Sequence, residues 1–188
     1  LDIPNTIFLN ILRWRVRPTL DPLAPRDGIL VFGEEKKKIQ VNKESLASQS
    51  PFFQTLFYSD FMEKSMSEIP IGDVEYEEFA NIIRLIYGFN GGSLTDGNMR
   101  RIHQLADRFE LKIVEDRVVS FVLSSSCSFS QNEKLLFSEE FGIPFLRDIL
   151  ISQYTETHLV ELSQSPELNQ LSPETTRALL KQSCSFLS

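Results

Sequence analysis

Cysteine, histidine and tryptophan are scarce in this chain of 188 residues, which has two Cys, two His and one Trp. Cys127 and Cys184 lie far apart in the sequence, and neither belongs to a CxxC pair or a Cys/His cluster. The sequence therefore predicts no zinc site. Free thiols are typical of a reducing compartment, so we expect an intracellular protein, cytoplasmic or nuclear. A chain of this length buries enough surface to fold without a disulfide.

Basic residues are fewer than acidic residues, so the formal net charge is −7 and the isoelectric point is about 4.9. Residues 36–38 form the only cationic run, and Glu34 and Glu35 precede it. This pattern favours a solvated hairpin tip over a surface that neutralises phosphates, so we expect no nucleic-acid partner. No apolar run is long enough to cross a bilayer, and no membrane partner is expected.

The motifs of common enzyme classes are absent from the sequence. There is no G-x-S-x-G elbow, no glycine-rich phosphate loop and no cluster of metal ligands. His103 is expected on the exposed, polar side of its helix. The carboxylates of Glu75, Glu77 and Glu78 are explained by the helix dipole, which favours negative charge in the first turn. We therefore expect no enzyme, no catalytic residue, no metal and no cofactor.

Short strands and amphipathic helices follow one another along the middle of the chain. Residues 29–32 and 39–41 predict a β-hairpin joined by a five-residue turn, and Ile69–Ile71 predicts a third strand, at an edge because of Pro70. Asn42 and Ser50 are expected to cap two short helices. Asp73 is expected to cap a long helix over about 75–87, whose apolar residues recur at helical spacing.

The two ends of the chain have different patterns. Residues 1–26 are expected to form a lead-in and a proline-rich linker. Its apolar stretch is either a short helix or the last strand of an upstream domain. Residues 124–188 predict only helices, which begin at a capping box formed by Ser130 and Glu133 and are interrupted at Gly142 and Pro144.

The predicted order is a hairpin, two short helices, a strand, a long helix and two more helices. Characteristic segments occur along it at Asp27 and residues 39–43, 46–53, 56–57, 61–63, 71–74, 79, 85–87 and 105–107. This order and these segments resemble the BTB/POZ domain, although Asn42 replaces the histidine that is usual there. The resemblance covers residues 27–123 and implies an α+β fold, a small three-stranded sheet packed with helices. Residues 124–188 resemble a partial BACK helical extension, and residues 43–63 and 102–123 are similar to nematode BTB proteins of the MATH-BTB type.

The resemblance implies a protein-interaction adaptor, expected to be a substrate-recognition adaptor of a cullin–RING E3 ubiquitin ligase. Proteins of this family grip the cullin with a hydrophobic-x-Glu motif, which Phe61-Met62-Glu63 fits. An aromatic anchor would fill an apolar slot while the carboxylate fixes orientation. For Phe57, Phe61 and Tyr87, a core role is the alternative. The expected cullin-binding residues are Phe57, Tyr58, Phe61, Met62, Glu63 and Tyr87.

Other expected partners also follow from the resemblance. We expect the chain to bind a protein substrate or scaffold partner. We also expect it to bind a second copy of itself and form a homodimer. The extension could add a second cullin contact, although helical spacing favours a core role for its candidates. The alternative function is a cullin-independent BTB scaffold or oligomerisation module in a transcriptional or germline complex. The candidates in the extension are Phe129, Leu135, Phe137 and Phe141.

Overall fold

The computed structural model describes residues 25–59, 66, 68–88 and 92–186. The chain divides into two compact units. The first unit comprises Leu1–Ser93 and Arg101–Glu115, and the second comprises Leu94–Arg100 and Asp116–Ser188. Most of the expected lead-in, residues 1–24, lies outside the described residues. The expected domain limits, 27–123 and 124–188, stay predictions.

A three-stranded sheet lies in the first unit, in the order β2-β1-β3. Strand β1 (Gly28–Phe32) pairs antiparallel with β2 (Lys37–Val41) and parallel with β3 (Ile69–Ile71). The hairpin and the third strand are confirmed. Pro70 lies on an edge strand, where its missing N–H leaves no gap in the sheet.

The hairpin turn is shorter than the sequence predicts. Strand β2 already begins at Lys37, so only residues 33–36 form the turn. Gly33 and Lys36 have φ angles of 63° and 52°, and the Lys36 N–H donates to the Gly33 carbonyl at 3.2 Å. The left-handed backbone at both ends of the turn reverses the chain within four residues. The last two residues of the charged run, Lys37 and Lys38, therefore belong to β2 and not to the turn.

Helices α1 to α5 follow the hairpin. The Asn42 side-chain oxygen accepts the Ser45 N–H at 2.7 Å, and the Ser50 hydroxyl accepts the Phe53 N–H at 3.0 Å, as predicted for the two caps. The predicted cap at Asp73 is wrong, because α3 begins after Glu75 and Asp73 has a left-handed φ of 56°. The bounds are α1 Lys43–Gln49, α2 Pro51–Tyr58, α3 Tyr76–Tyr87, α4 Met99–Arg108 and α5 Lys112–Val122.

In the described residues after 123, every element is helical. The Ser130 hydroxyl accepts the Glu133 N–H at 3.2 Å, and the Glu133 carboxylate accepts the Ser130 N–H at 2.7 Å, which confirms the capping box. None of the described helices combines the length and the apolar character that crossing a membrane requires. The elements are α6 Gln131–Glu140, α7 Pro144–Ser152, α8 Glu156–Ser163, a 3₁₀ helix Pro166–Gln170 and α9 Pro173–Ser185.

Phenylalanines form the centre of the core of the first unit. Phe32, Phe53, Phe79 and Phe109 are at most 1% exposed. The ring centroids of Phe53 and Phe109 are 5.5 Å apart, and those of Phe79 and Phe109 are 5.3 Å apart. Aromatic pairs at such distances contribute roughly 0.5–1.5 kcal/mol each beyond the area they bury. The sheet, α2 and α3 each supply one of these rings, and the fourth, Phe109, directly follows α4, so this cluster fixes the relative positions of these elements.

The second unit has its own core, in which Leu135 and Phe137 are fully buried. This burial confirms the core role that helical spacing favours for both residues. The Tyr154 hydroxyl donates to the Asn132 side chain at 2.8 Å, and burial raises the pKa of Tyr154. That hydrogen bond satisfies a polar group in an apolar setting.

His103 is buried, with only 6% of its surface exposed, so the expectation of an exposed side chain is wrong. It lies four residues after Met99 and three before Ala106, which are both fully buried. Residues three and four apart share one face of a helix, so His103 belongs to the apolar side of α4. Burial lowers the pKa of His103, although the carboxylates of Glu115 and Asp107 oppose this shift.

Candidate interaction surface

The end of α2 carries two neighbouring aromatic residues with different surroundings. Phe57 is 3% exposed, and its ring stacks on Phe53 with centroids 5.6 Å apart. Tyr58 is 51% exposed. An exposed tyrosine offers a large apolar face and a polar tip, the combination that is enriched at protein interfaces. Phe57 therefore packs in the core at the end of α2, while the ring of Tyr58 is accessible to a partner protein.

The end of α3 brings Tyr87 to the beginning of α1. Its side chain is half-buried. Burial raises the pKa of the Tyr87 hydroxyl, and hydrogen bonds with the Asn42 backbone and the Ser45 side chain oppose the shift. These bonds hold the ring in place. A side chain that is already fixed loses less conformational entropy when a partner covers it.

Asp27, Asn42 and Lys43 tie the residues before β1 to the first turn of α1. The Lys43 N–H donates to the Asp27 carboxylate at 2.8 Å, and the Asn42 side-chain amide donates to the Pro25 carbonyl at 2.6 Å. The Lys43 ammonium lies 5.8 Å from the centre of the Phe57 ring. Asn42 thus caps the helix with its oxygen and holds residue 25 with its nitrogen.

We call these five residues, Asp27, Asn42, Lys43, Tyr58 and Tyr87, the tyrosine patch. Burial is the main cause that raises the pKa of Tyr58 and of Tyr87, and the Asp27 carboxylate adds to both shifts. The negative charge of Asp27 therefore acts on both hydroxyls. The patch combines two phenol rings, a carboxylate and an ammonium group on one surface. Such a surface suits an aromatic contact framed by polar groups, the arrangement of a protein interface.

The tyrosine patch unites two of the expected binding residues, Tyr58 and Tyr87. Phe61, Met62 and Glu63 lie outside the described residues. Sequence reasoning did not place Asp27 and Lys43 in the site. The signal that could have found them is the acidic residue immediately before β1, because an Asp side chain readily accepts the N–H groups of a helix start.

The two hydroxyls of the tyrosine patch are hydrogen-bonding groups. Both tyrosine pKa values are raised, so the hydroxyls stay protonated at neutral pH. They can donate and accept hydrogen bonds, which is what binding a partner requires. Within the part of the chain that the structure describes, no group of three or more His, Cys, Asp and Glu residues could hold a metal ion.

Comparison with known proteins finds similar chains in a nematode. The chain is 30% identical over 148 residues to the "BTB and MATH domain-containing protein 38" of Caenorhabditis elegans, a match that covers 78% of this chain and 38% of that protein. It is 31% identical over 157 residues to protein 36 of the same series, covering 83% and 48%. The chain thus spans less than half the length of these relatives.

Among solved structures, the BTB domain of human gigaxonin is similar, with 20% identity and a TM-score of 0.43 over 64% of this chain and 94% of that one. The sequence model of the BTB/POZ domain matches residues 24–126, more than half of the chain. This match contains the hairpin, the third strand, helices α1 to α5 and the whole tyrosine patch. The chain therefore belongs to the BTB/POZ domain family, whose domain is a protein-interaction module, and its α+β fold is the BTB fold.

Proposed function

We propose that this chain is part of a substrate-recognition adaptor of a cullin–RING E3 ubiquitin ligase, and that its BTB unit binds the cullin. The observation that carries the proposal is the exposure of Tyr58 at the end of α2. Tyr58 lies three residues before Phe61-Met62-Glu63, the hydrophobic-x-Glu motif that the resemblance associates with cullins. The Asp27 carboxylate helps to raise the pKa of both Tyr58 and Tyr87, the two expected cullin-binding residues of the tyrosine patch.

The similarity to proteins named for BTB and MATH domains supports an adaptor architecture. In such an architecture one module holds the scaffold and another holds the substrate. The BTB unit described above would supply the scaffold side. The BACK-like character of residues 124–188, a homodimer and the intracellular location stay predictions of the same proposal.

Binding of the purified chain to a cullin N-terminal domain, measured by isothermal titration calorimetry, tests the proposal. We expect Tyr58→Ala to weaken binding at least tenfold, about 1.4 kcal/mol, because truncating a central interface aromatic removes that much or more. We expect the double change Phe61→Ala with Glu63→Ala to abolish binding. Both variants should keep the thermal midpoint of unfolding nearly unchanged.

Phe145→Ala is the matched control, because Phe145 is also an aromatic residue with 51% exposure, but lies in the second unit. Its affinity for the cullin domain should equal that of the unmodified chain. An unmodified chain that does not bind the cullin domain would contradict the proposal. Such a result would favour the alternative, a cullin-independent BTB scaffold or oligomerisation module.

A further inference from the structure

Three serines of this chain lie immediately before a proline, namely Ser50, Ser165 and Ser172. Ser50 and Ser165 occur in the same four-residue sequence, Ser-Gln-Ser-Pro, and Ser165 and Ser172 begin the same triplet, Ser-Pro-Glu. All three have extended backbone, with ψ angles of 113°, 150° and 153°. A proline disfavours helical backbone in the residue before it, which explains this common conformation. The three serines differ in what the fold places around them.

Ser50 is buried, and the fold uses both functions of its hydroxyl. The residue is 1% exposed, and its hydroxyl donates to the Phe109 carbonyl at 2.6 Å and accepts the Phe53 N–H at 3.0 Å. The preceding residue, Gln49, is 3% exposed. An enzyme could therefore reach this hydroxyl only after the start of α2 had unfolded.

Ser172 is held in a hydrogen-bond network at the start of α9. Its hydroxyl accepts the Thr175 N–H at 3.2 Å and donates to the Glu139 carboxylate at 3.1 Å. The Ser172 N–H donates to the same carboxylate at 3.2 Å, and the hydroxyl of the fully buried Thr175 donates to it as well. The Glu139 carboxylate thus lies at the Ser172 hydroxyl, where it would repel an approaching phosphate group.

Ser165 lies between α8 and the 3₁₀ helix, and its hydroxyl caps neither element. The residue is half-buried, and its neighbours Ser163, Gln164 and Pro166 are exposed. Its side chain makes no capping hydrogen bond to the 3₁₀ helix. The hydroxyl donates to the Leu162 carbonyl within the preceding helix, at 3.2 Å. The sequence Ser-Gln-Ser-Pro is therefore accessible here, whereas the fold encloses its other copy at Ser50.

We propose that Ser165 is a phosphorylation site for a proline-directed serine/threonine kinase. Such a kinase binds an extended substrate segment and accepts a proline after the serine, because proline has no N–H that needs a partner. The Ser165 oxygen attacks the γ-phosphorus of ATP, the bond from that phosphorus to the β–γ bridging oxygen breaks, and ADP leaves. The hydroxyl proton passes to a base of the kinase. Phosphorylation does not require cullin binding, since Ser165 lies in the second unit, outside the tyrosine patch.

A phosphate on Ser165 acts first on Glu167. The Ser165 hydroxyl shares its proton between the Leu162 carbonyl and the Glu167 carboxylate, and this hydrogen bond lowers the pKa of Glu167. Phosphorylation replaces the donor by a group with a charge of about −1.5 to −2 at pH 7, which repels a neighbouring carboxylate. Glu167 belongs to the 3₁₀ helix, which packs against α6 and α8. The modification therefore loosens the contacts of this short helix.

Mass spectrometry of the full chain after incubation with an active mitogen-activated protein kinase, Mg²⁺ and ATP tests the site. We expect Ser165 to be labelled at least tenfold faster than Ser172, because labelling of Ser172 requires local opening of its network. Ser50 should stay unlabelled. The matched controls are free peptides of residues 45–55, 160–170 and 167–177, which carry the same Ser-Pro pairs without the fold. The three peptides should be labelled at similar rates.

Two results would overturn the assignment of Ser165. One is labelling of Ser172 or Ser50 in the folded chain as fast as that of Ser165. The other is no labelling of Ser165 at all. The variant Pro166→Ala separates a proline-directed reaction from the chance labelling of an accessible serine. It should slow labelling of Ser165 at least tenfold, and an unchanged rate would contradict the proposed class of kinase.

The thermal midpoint of unfolding tests the effect on the 3₁₀ helix. We expect phosphorylation to lower the midpoint by roughly 2–4 °C. Ser165→Ala should change it little, because this hydroxyl caps no helix. In the variant Glu167→Gln, phosphorylation should lower the midpoint less, because the repelled charge is gone. An unchanged midpoint after phosphorylation, or an equal fall in Glu167→Gln, would overturn the effect assigned to the phosphate.

Discussion

Replacing Ser50 by alanine should destabilise the first unit far more than an ordinary serine change. The Ser50 hydroxyl has two partners, because it donates to the Phe109 carbonyl at 2.6 Å and accepts the Phe53 N–H at 3.0 Å. The residue is 1% exposed, so water cannot replace either bond without disturbing the packing. Ser50→Ala therefore removes the cap of α2 and the link between α2 and α4 in one step.

The expected loss follows from these two contacts. Removing a serine N-cap lowers stability by about 1 kcal/mol. Leaving a buried carbonyl without its donor costs roughly 1–3 kcal/mol more. The sum is about 2–4 kcal/mol, a large part of the 5–15 kcal/mol that is typical of a folded domain. The Phe53 and Phe109 rings should stay in contact, so the unit should be weakened without losing its fold.

Urea denaturation followed by far-ultraviolet circular dichroism measures the free energy of unfolding. Ser120→Ala is the control, because the Ser120 hydroxyl is exposed and donates only to the Asp116 carbonyl within its own helix, at 2.8 Å. This control should change stability by less than about 0.5 kcal/mol. A loss below about 0.5 kcal/mol for Ser50→Ala as well would refute the reasoning, because it would mean that the buried link contributes nothing.

Two further predictions concern His103 and Gly92. Burial lowers the pKa of His103, so the unfolded chain binds a proton more readily than the folded chain, and stability should fall as the pH drops below about 6.5, the pKa of an unperturbed histidine. Unfolding measured between pH 7.5 and 5.5 should show a smaller fall for His103→Gln, and an equal fall would be evidence against this cause. A side chain on Gly92 would lie 2.9 Å from backbone atoms of Arg84 and Leu85, so Gly92→Ala should lower stability by roughly 1–3 kcal/mol. Gly72→Ala, whose added atom would meet nothing within 4 Å, is the control in a thermal melt, and equal midpoints for the two variants would count against the clash.

Elements with local causes could be predicted from the sequence. Ser50 followed by Pro51 starts a helix because the hydroxyl caps it and the ring suits the first turn. The capping box at Ser130 works in the same way. The cap at Asp73 was predicted wrongly, because the helix begins after Glu75, two residues later. The position of the long helix depends on packing of its apolar face, which the cap residues alone do not determine.

The candidate site could be predicted only in part, for the same reason. Tyr58 and Tyr87 were identified through the resemblance to a known family. Their association with Asp27 was not, because it requires three separate chain segments to meet. The buried link between the start of α2 and the end of α4 had no sequence signal at all. The hydrogen bond that forms it, Ser50 to Phe109, spans 59 positions.

The parallel pairing of β1 with β3 constrains the order in which this sheet can fold. In the hairpin, Phe32 pairs with Lys37, so the first contacts close a very short loop. Leu30 pairs with Ile69, 39 residues further along, and the intervening chain includes two helices. Closing that longer loop loses more chain entropy before any contact compensates for it. The hairpin can therefore form early on its own, whereas the third strand joins once α1 and α2 have condensed around the phenylalanine core.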